Sequence, residues 1–295
     1  MKKFTGCGTA LITPFNKNGS VDYPTVRKLV RRQINAGVDF LVPLGTTGEP
    51  SCLTDEEKVL IVDAIVEEVN GKIPILVNIG SNSTDAVLAN IERFKNASID
   101  GFLVITPYYN KPTQEGLYHH FVTVAQATNR PIVLYNIPGR TSVNMTAETT
   151  LRLAAIKNIV AIKEGSSNFS QIDTIISHAP KHFAVLVGND NEILPLVAFG
   201  AQGVISGTAN VVPREMAKFL NLLRDNNFLG ARKMHRRLSG LFNSCSLETN
   251  PIPVKAAMSM MGLIANVLRS PLCRATDNTC KQMKETLKEL GLIYR

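Results

Sequence analysis

From residue 7 to about residue 225 the chain alternates short apolar runs with longer amphipathic stretches. The apolar runs occupy 7–13, 40–44, 75–79, 102–106, 132–136, 159–163, 184–188 and 204–206. Short runs rich in Val, Ile and Leu and bounded by Gly, Asn or Ser are the pattern of strands covered on both faces. The stretches between them carry helix-start chemistry. Asp22 precedes Tyr23-Pro24, Thr54 opens a Thr-Asp-Glu-Glu capping box with Glu57, and Thr84-Asp85, Thr113-Gln114 and Thr146-Ala147-Glu148 repeat the idea. Eight strand–helix units follow one another with no long excursion to mark a reversal of strand order. That succession predicts an α/β fold of the closed (β/α)8 TIM-barrel type in preference to an open sheet.

Past the eighth unit, which residues 213–225 close, the strand pattern stops. Residues 227–295 read as helical over 228–242, 253–261 and 277–290, with a turn at Thr249-Asn250-Pro251-Ile252-Pro253. The expected organisation is a barrel over 1–226 that carries the chemistry and a C-terminal helical appendage over 227–295. No low-complexity linker separates the two, so they are expected to fold together.

Composition narrows the function classes. No apolar run approaches the length of a membrane span. The N-terminal Met1-Lys2-Lys3-Phe4-Thr5-Gly6 has no apolar core after its lysines, so a cytoplasmic chain with no signal peptide and no membrane partner is expected. The five cysteines are scattered without a Cys-x-x-Cys pair, which fits reduced thiols and offers neither a zinc site nor a disulfide frame. A net charge of +8 suits nucleic acid or small anionic substrates alike. The densest basic cluster, Arg232-Lys233-Met234-His235-Arg236-Arg237, lies in a helical pattern with Leu229, Leu238 and Leu241 and reads as a solvated helix face. No nucleic-acid motif accompanies it, and no nucleic-acid partner is expected.

In such a barrel the chemistry gathers at the carboxyl ends of the strands, and unusual residues stand there. The run Ile159-Val160-Ala161-Ile162-Lys163-Glu164-Gly165 ends in a lysine. Burying an unpaired ammonium disfavours its charged form, and a neutral amine attacks a ketone or aldehyde carbonyl to give a Schiff base. The competing reading is a strand-capping lysine that snorkels to water. Gly45-Thr46-Thr47-Gly48 follows the second strand and offers backbone N–H groups and hydroxyls to a carboxylate. Thr106-Pro107-Tyr108-Tyr109-Asn110-Lys111-Pro112 is a proline-stiffened loop whose tyrosines suit packing or an interface. Tyr135 alternates with Val133 and is placed to face the barrel interior, where a phenol passes protons. Arg140, beyond a Pro-Gly turn, suits bidentate capture of a carboxylate or a plain surface position. Val187-Gly188-Asn189-Asp190 and Ile205-Ser206-Gly207-Thr208 are glycine-bearing ends that leave room for a ligand. The barrel would set all of these around one pocket.

These motifs, together with Asn250-Pro251-Ile252-Pro253-Val254-Lys255, resemble the dihydrodipicolinate synthase family of the pyruvate-dependent class I aldolase superfamily, over essentially the whole chain. The resemblance implies a lyase that condenses pyruvate with L-aspartate 4-semialdehyde, the first committed step of diaminopimelate and lysine biosynthesis. By the same resemblance Lys163 forms the Schiff base, and Tyr135, Thr46 and Tyr109 relay protons, with Tyr109 supplied by a neighbouring subunit of a homo-oligomer, usually a tetramer of tight dimers. Thr47 would hold the pyruvate carboxylate and Arg140 that of the semialdehyde, while Gly188 and Ile205 would contact substrate through their backbones. No metal or separate cofactor is implied. A related lyase acting on a 2-keto sugar acid such as N-acetylneuraminate is the alternative, opposed by Arg140 and by Thr46-Thr47. Lysine-inhibited members carry a regulatory pocket that Asn82 and Tyr108 match but Pro50, Ser51, Asp55, Lys58 and Ala86 do not, so inhibition by L-lysine is expected to be weak or absent.

Overall fold

The computed structural model describes residues 4–294; Met1, Lys2 and Lys3 of the N-terminal segment and Arg295 lie outside the described residues. Strands form at β1 (Gly6–Ala10), β2 (Phe40–Val42), β3 (Leu76–Asn78), β4 (Gly101–Ile105), β5 (Ile132–Asn136), β6 (Ile159–Glu164), β7 (Ala184–Val187) and β8 (Gly203–Ser206). They run parallel in the order β2-β1-β8-β7-β6-β5-β4-β3, and a parallel bridge between Leu41 and Ile75 closes β2 onto β3. The result is the predicted barrel.

Helix starts follow the predicted chemistry. Asp22 accepts a hydrogen bond from Thr25 N–H at the head of Tyr23–Ala36, and Thr54 forms a complete capping box with Glu57 at the head of Asp55–Val69. Thr113 and Thr146 cap Gln114–Gln126 and Ala147–Ala154. At Thr84–Arg93 the cap is Ser83, one residue earlier than the Thr-Asp pattern alone marks.

Because side chains alternate along each strand, the barrel sorts its residues into two layers. Ala10, Phe40, Val42, Leu76, Leu103, Val133, Tyr135, Ala161, Leu186 and Ile205 fill the interior with Phe4. Ile162, Leu134, Val104, Val77 and their neighbours face outward into the larger core under the helices. Tyr135 and Lys163 are therefore interior residues, whereas Asn136 and Glu164, one step further along the same strands, turn outward.

After the helix Pro213–Arg224, the chain continues as Phe228–Ser244, Ile252–Met260 and Asp277–Glu289. Its attachment to the barrel is ionic as well as apolar. Lys255, fully buried, pairs with the buried Glu49 carboxylate at the end of the Gly-Thr-Thr-Gly-Glu turn and donates to Val267 O at 3.0 Å. Arg269 donates from its backbone N–H to Glu49 Oε2 at 3.0 Å and binds Glu57 through two nitrogens at 2.6 and 2.5 Å. Both cations also face the ring of Phe15, at 4.1 and 4.7 Å from its centroid. Among the described residues no helix is long and apolar enough to cross a membrane.

Candidate active site

A cavity of about 430 Å³ opens at the carboxyl ends of the strands. Lys163 reaches it from β6. Its side chain follows Ala161 on the interior face and is 7% exposed. Tyr135 lies beside it because β5 and β6 pair in register, Tyr135 with Lys163, and Lys163 Nζ sits 4.2 Å from the centroid of the phenol ring. Among the described residues no carboxylate lies within ion-pairing distance of that nitrogen. The lysine is thus not a snorkelling cap: its side chain is buried against an aromatic face and lines the chamber.

The turn after β2 forms the second wall. Thr46–Gly48 is a single 3-10 turn in which Gly48 N–H donates to Gly45 O at 2.8 Å and Glu49 N–H to Thr46 O at 3.1 Å. The anion-binding nest expected of this turn is therefore smaller than the glycine pattern implies, since two of its N–H groups close the turn itself. The hydroxyls remain. Thr47 is buried, and its Oγ1 accepts from Asn250 Nδ2 at 2.8 Å, so its hydroxyl hydrogen is directed to another acceptor, as a bound carboxylate would supply.

Arg140 stands at the mouth on a helical turn, Pro138–Thr141. It is exposed, and its guanidinium donates to Thr249 Oγ1 at 3.3 Å and Asn250 O at 3.4 Å, which aims it across the opening. Gly188 and Ile205 complete the wall. The reason for Gly188 differs from the expected one. A Cβ there would lie 2.8 Å from Glu164 O and 2.9 Å from Gly165 Cα, so the glycine is required by the close approach of β7 to β6, not by room for a ligand.

The structure brings Lys163, Tyr135, Thr46, Thr47, Arg140, Gly188 and Ile205 to one chamber. Tyr109 is not among them. It is 88% exposed, holds a left-handed backbone at φ 75° and does not line its own chain's cavity. Several wall residues carried no assignment from sequence. Thr249, Asn250 and Asp190 line the chamber; Asp190 Oδ2 accepts from Thr208 N–H at 3.0 Å, and its Oδ1 is buried without a hydrogen-bond partner among the described residues. Cys245 also lines it, and burial, helped by the Asp190 charge, pushes its thiol up to about 12, so it is a protonated wall group.

Comparison with known proteins identifies the family of the chain. A family model described as the dihydrodipicolinate synthetase family matches residues 3–290. The chain belongs to that family. Among its relatives within the dihydrodipicolinate synthetase family, a 4-hydroxy-tetrahydrodipicolinate synthase of Phocaeicola vulgatus is 47% identical over 291 residues, 98% of each chain. The crystal structure of dihydrodipicolinate synthase from Thermotoga maritima superposes with a TM-score of 0.96 at 43% identity, covering 99% of this chain and 100% of that one. The chloride-inhibited dihydrodipicolinate synthase from Acinetobacter baumannii, solved with pyruvate, gives 0.96 at 37% identity over 98% and 99% of the two chains.

Proposed function

We propose that this chain is a 4-hydroxy-tetrahydrodipicolinate synthase, a lyase that condenses pyruvate with L-aspartate 4-semialdehyde through a Schiff base on Lys163. The observation that carries the reading is the unpaired Lys163 amine against Tyr135 at the mouth of the barrel, in a chain of this family. The amine adds to C2 of pyruvate and the carbinolamine loses water to give an iminium. The iminium draws electrons from the neighbouring bond, so a methyl proton is lost and an enamine forms. The enamine carbon attacks the aldehyde of the second substrate. Its amino group then displaces Lys163 at the former C2, closing the ring and freeing the lysine. Tyr135, whose ring lies against the reacting nitrogen, passes the protons of carbinolamine dehydration and ring closure.

The chamber supports this division of labour. Thr47 offers its hydroxyl to the pyruvate carboxylate, and Arg140 its guanidinium to the carboxylate of the semialdehyde. An arginine at the mouth fits a second substrate bearing an anion there better than the neutral polyol of a sugar acid. Tyr109 reaches Thr46 of a neighbouring subunit to complete the proton relay. Its exposure and strained backbone suit a residue whose contacts lie on another copy, within a homotetramer of tight dimers. The proposed reaction is that of a cytoplasmic biosynthetic enzyme and needs no cofactor beyond the lysine itself.

Borohydride reduction in the presence of pyruvate, followed by peptide mass analysis, tests the reading. A stable adduct on Lys163, with turnover of aspartate semialdehyde and none of N-acetylneuraminate, is expected. Folded protein that yields no adduct overturns it.

A further inference from the structure

Next to Lys163 on the same strand the structure holds a buried carboxylate that has no ion-pair partner among the described residues. Glu164 is 0% exposed and faces the outer side of β6. Its Oε1 accepts from Ser166 N–H at 2.8 Å and from Asn136 Nδ2 at 3.2 Å. Its Oε2 accepts from the same Asn136 nitrogen at 3.2 Å and from Gln171 Nε2 at 3.3 Å. Burial pushes its carboxyl above the usual carboxylate range, and the hydrogen bonds from Ser166, Asn136 and Gln171 oppose that rise; among the described residues it has no ion pair.

The orientation of both amides is fixed by one backbone unit. Met145 N–H donates to Asn136 Oδ1 at 3.0 Å, so the Asn136 nitrogen must face Glu164. Met145 O accepts from Gln171 Nε2 at 3.2 Å, which turns that nitrogen the same way. Asn144 locks the set, accepting from Asn136 at 2.8 Å and donating to Gln171 Oε1 at 2.8 Å. The Ser166 N–H and the two amide nitrogens can only donate, and the Ser166 hydroxyl can donate as well, so the cage satisfies the ionised form and offsets the cost of its burial.

A charge buried without a counter-ion is costly unless something else uses it. The next residue along the chain is Lys163, and the proposed chemistry places a positive nitrogen there. Asn136 and Glu164 are also the register pair immediately after Tyr135 and Lys163, so the same cage clamps the two strand ends that carry the reacting groups.

We infer that Glu164 is a positioning residue whose caged negative charge fixes the ends of β5 and β6 and favours the cationic iminium on Lys163. The inference rests on the Schiff-base reading above. The two fail separately: absence of a pyruvate adduct in the native chain defeats that reading, whereas a native adduct unaffected by the charge of residue 164 defeats this one.

The test measures borohydride trapping with pyruvate, and steady-state kinetics, in Glu164→Gln and Glu164→Asp, with thermal unfolding as the check on folding. Loss of the charge in the glutamine variant is expected to raise the pyruvate concentration for half-maximal trapping by about five-fold or more and to move the trapping profile to lower pH by about half a unit, because both cationic forms of the lysine nitrogen lose support. The aspartate variant, which keeps the charge, should retain the native profile even where its rate falls through looser packing. Equal profiles in the two variants overturn the inference, as does native trapping in folded Glu164→Gln. Should the glutamine variant not fold, Gln171→Leu, which removes one donor from outside the strand, is expected to weaken trapping in the same direction by about two-fold; folded Gln171→Leu with native trapping overturns the inference equally.

Discussion

Asn250 Nδ2 donates to Thr47 Oγ1 at 2.8 Å across 203 residues of chain, so the C-terminal segment sets the orientation of a hydroxyl in the barrel's own βα turn. Without the asparagine, Thr47 Oγ1 is free to rotate its hydrogen away from the chamber. Asn250→Ala is expected to raise the KM for pyruvate about five- to ten-fold with a smaller change in kcat, the scale of one buried hydrogen bond. Steady-state kinetics with pyruvate varied at saturating semialdehyde measures this split.

Lys163→Ala removes the only nucleophile of the proposed route and should lower kcat/KM by at least about 10³-fold with the fold intact. Tyr135→Phe keeps the ring that packs against the lysine chain and loses only the phenol. Its rate should fall about 10²- to 10³-fold, the range of a general acid–base group, while the pyruvate adduct still forms on long incubation. Turnover assays and adduct mass read the two effects separately.

The buried pair of Glu49 and Lys255 joins the Gly-Thr-Thr-Gly-Glu turn to the C-terminal helices. Burial lowers the Lys255 ammonium from its ordinary value and the Glu49 charge opposes that fall, so each charge depends on the other. Glu49→Gln, which strands the lysine, should destabilise the fold by about 3–5 kcal/mol, whereas replacing both partners with apolar residues of similar volume should cost much less. Urea midpoints for the single and double variants give the comparison.

Much of this architecture is legible from residue pattern because it is written in local terms. A strand covered on both faces needs a short apolar run, and a helix start needs an oxygen at its cap, so β1 to β8 and the caps at Asp22, Thr54, Thr113 and Thr146 appear within windows of a few residues. Tyr135 is placed by its period-two alternation with Val133, and Lys163 by its position at the end of an apolar run. What escaped that reading is long-range. Nothing near Asn250 says that it meets Thr47, and nothing near Lys255 says that its ammonium meets Glu49. Gly188 illustrates the limit from the other side: its position in the wall was legible, but its cause is the backbone of β6, which only the closed barrel brings near.

A second cavity of about 430 Å³ adjoins the first and is lined by Pro50, Ser51, Lys58 and Tyr108 among others. Glu49 is the only carboxylate in its wall among the described residues, and Lys255 already holds it. Lys58 adds a positive charge to the same wall and pairs with Asp55 at 2.9 Å. A lysine molecule would find repulsion there and no free carboxylate for its ammonium groups. Half-inhibition by L-lysine is expected only above about 1 mM, weaker than a specific site would give, and a rate titration with L-lysine checks it.

His120 gives the fold an acid-side weakness. It is buried on the helix Gln114–Gln126, with Nδ1 at 2.9 Å from Thr84 Oγ1, while Nε2 has no partner. Burial lowers its pKa from 6.5 to about 4, because a charged imidazole there would be left with an unsatisfied donor in an apolar setting. Since the folded value lies below the unfolded one, the unfolded chain binds the proton first. The contribution of neutral His120 is complete above about pH 6.5 and is lost as pH falls from there toward about 4, to a total of roughly 3 kcal/mol. Other groups also titrate over this range, so the measurement is a difference. Unfolding free energies of the native chain and of His120→Gln, taken from pH 7.5 to 4, should converge as pH falls, because the variant has no imidazole to protonate. Parallel curves for the two proteins would show that His120 is not what acid acts upon.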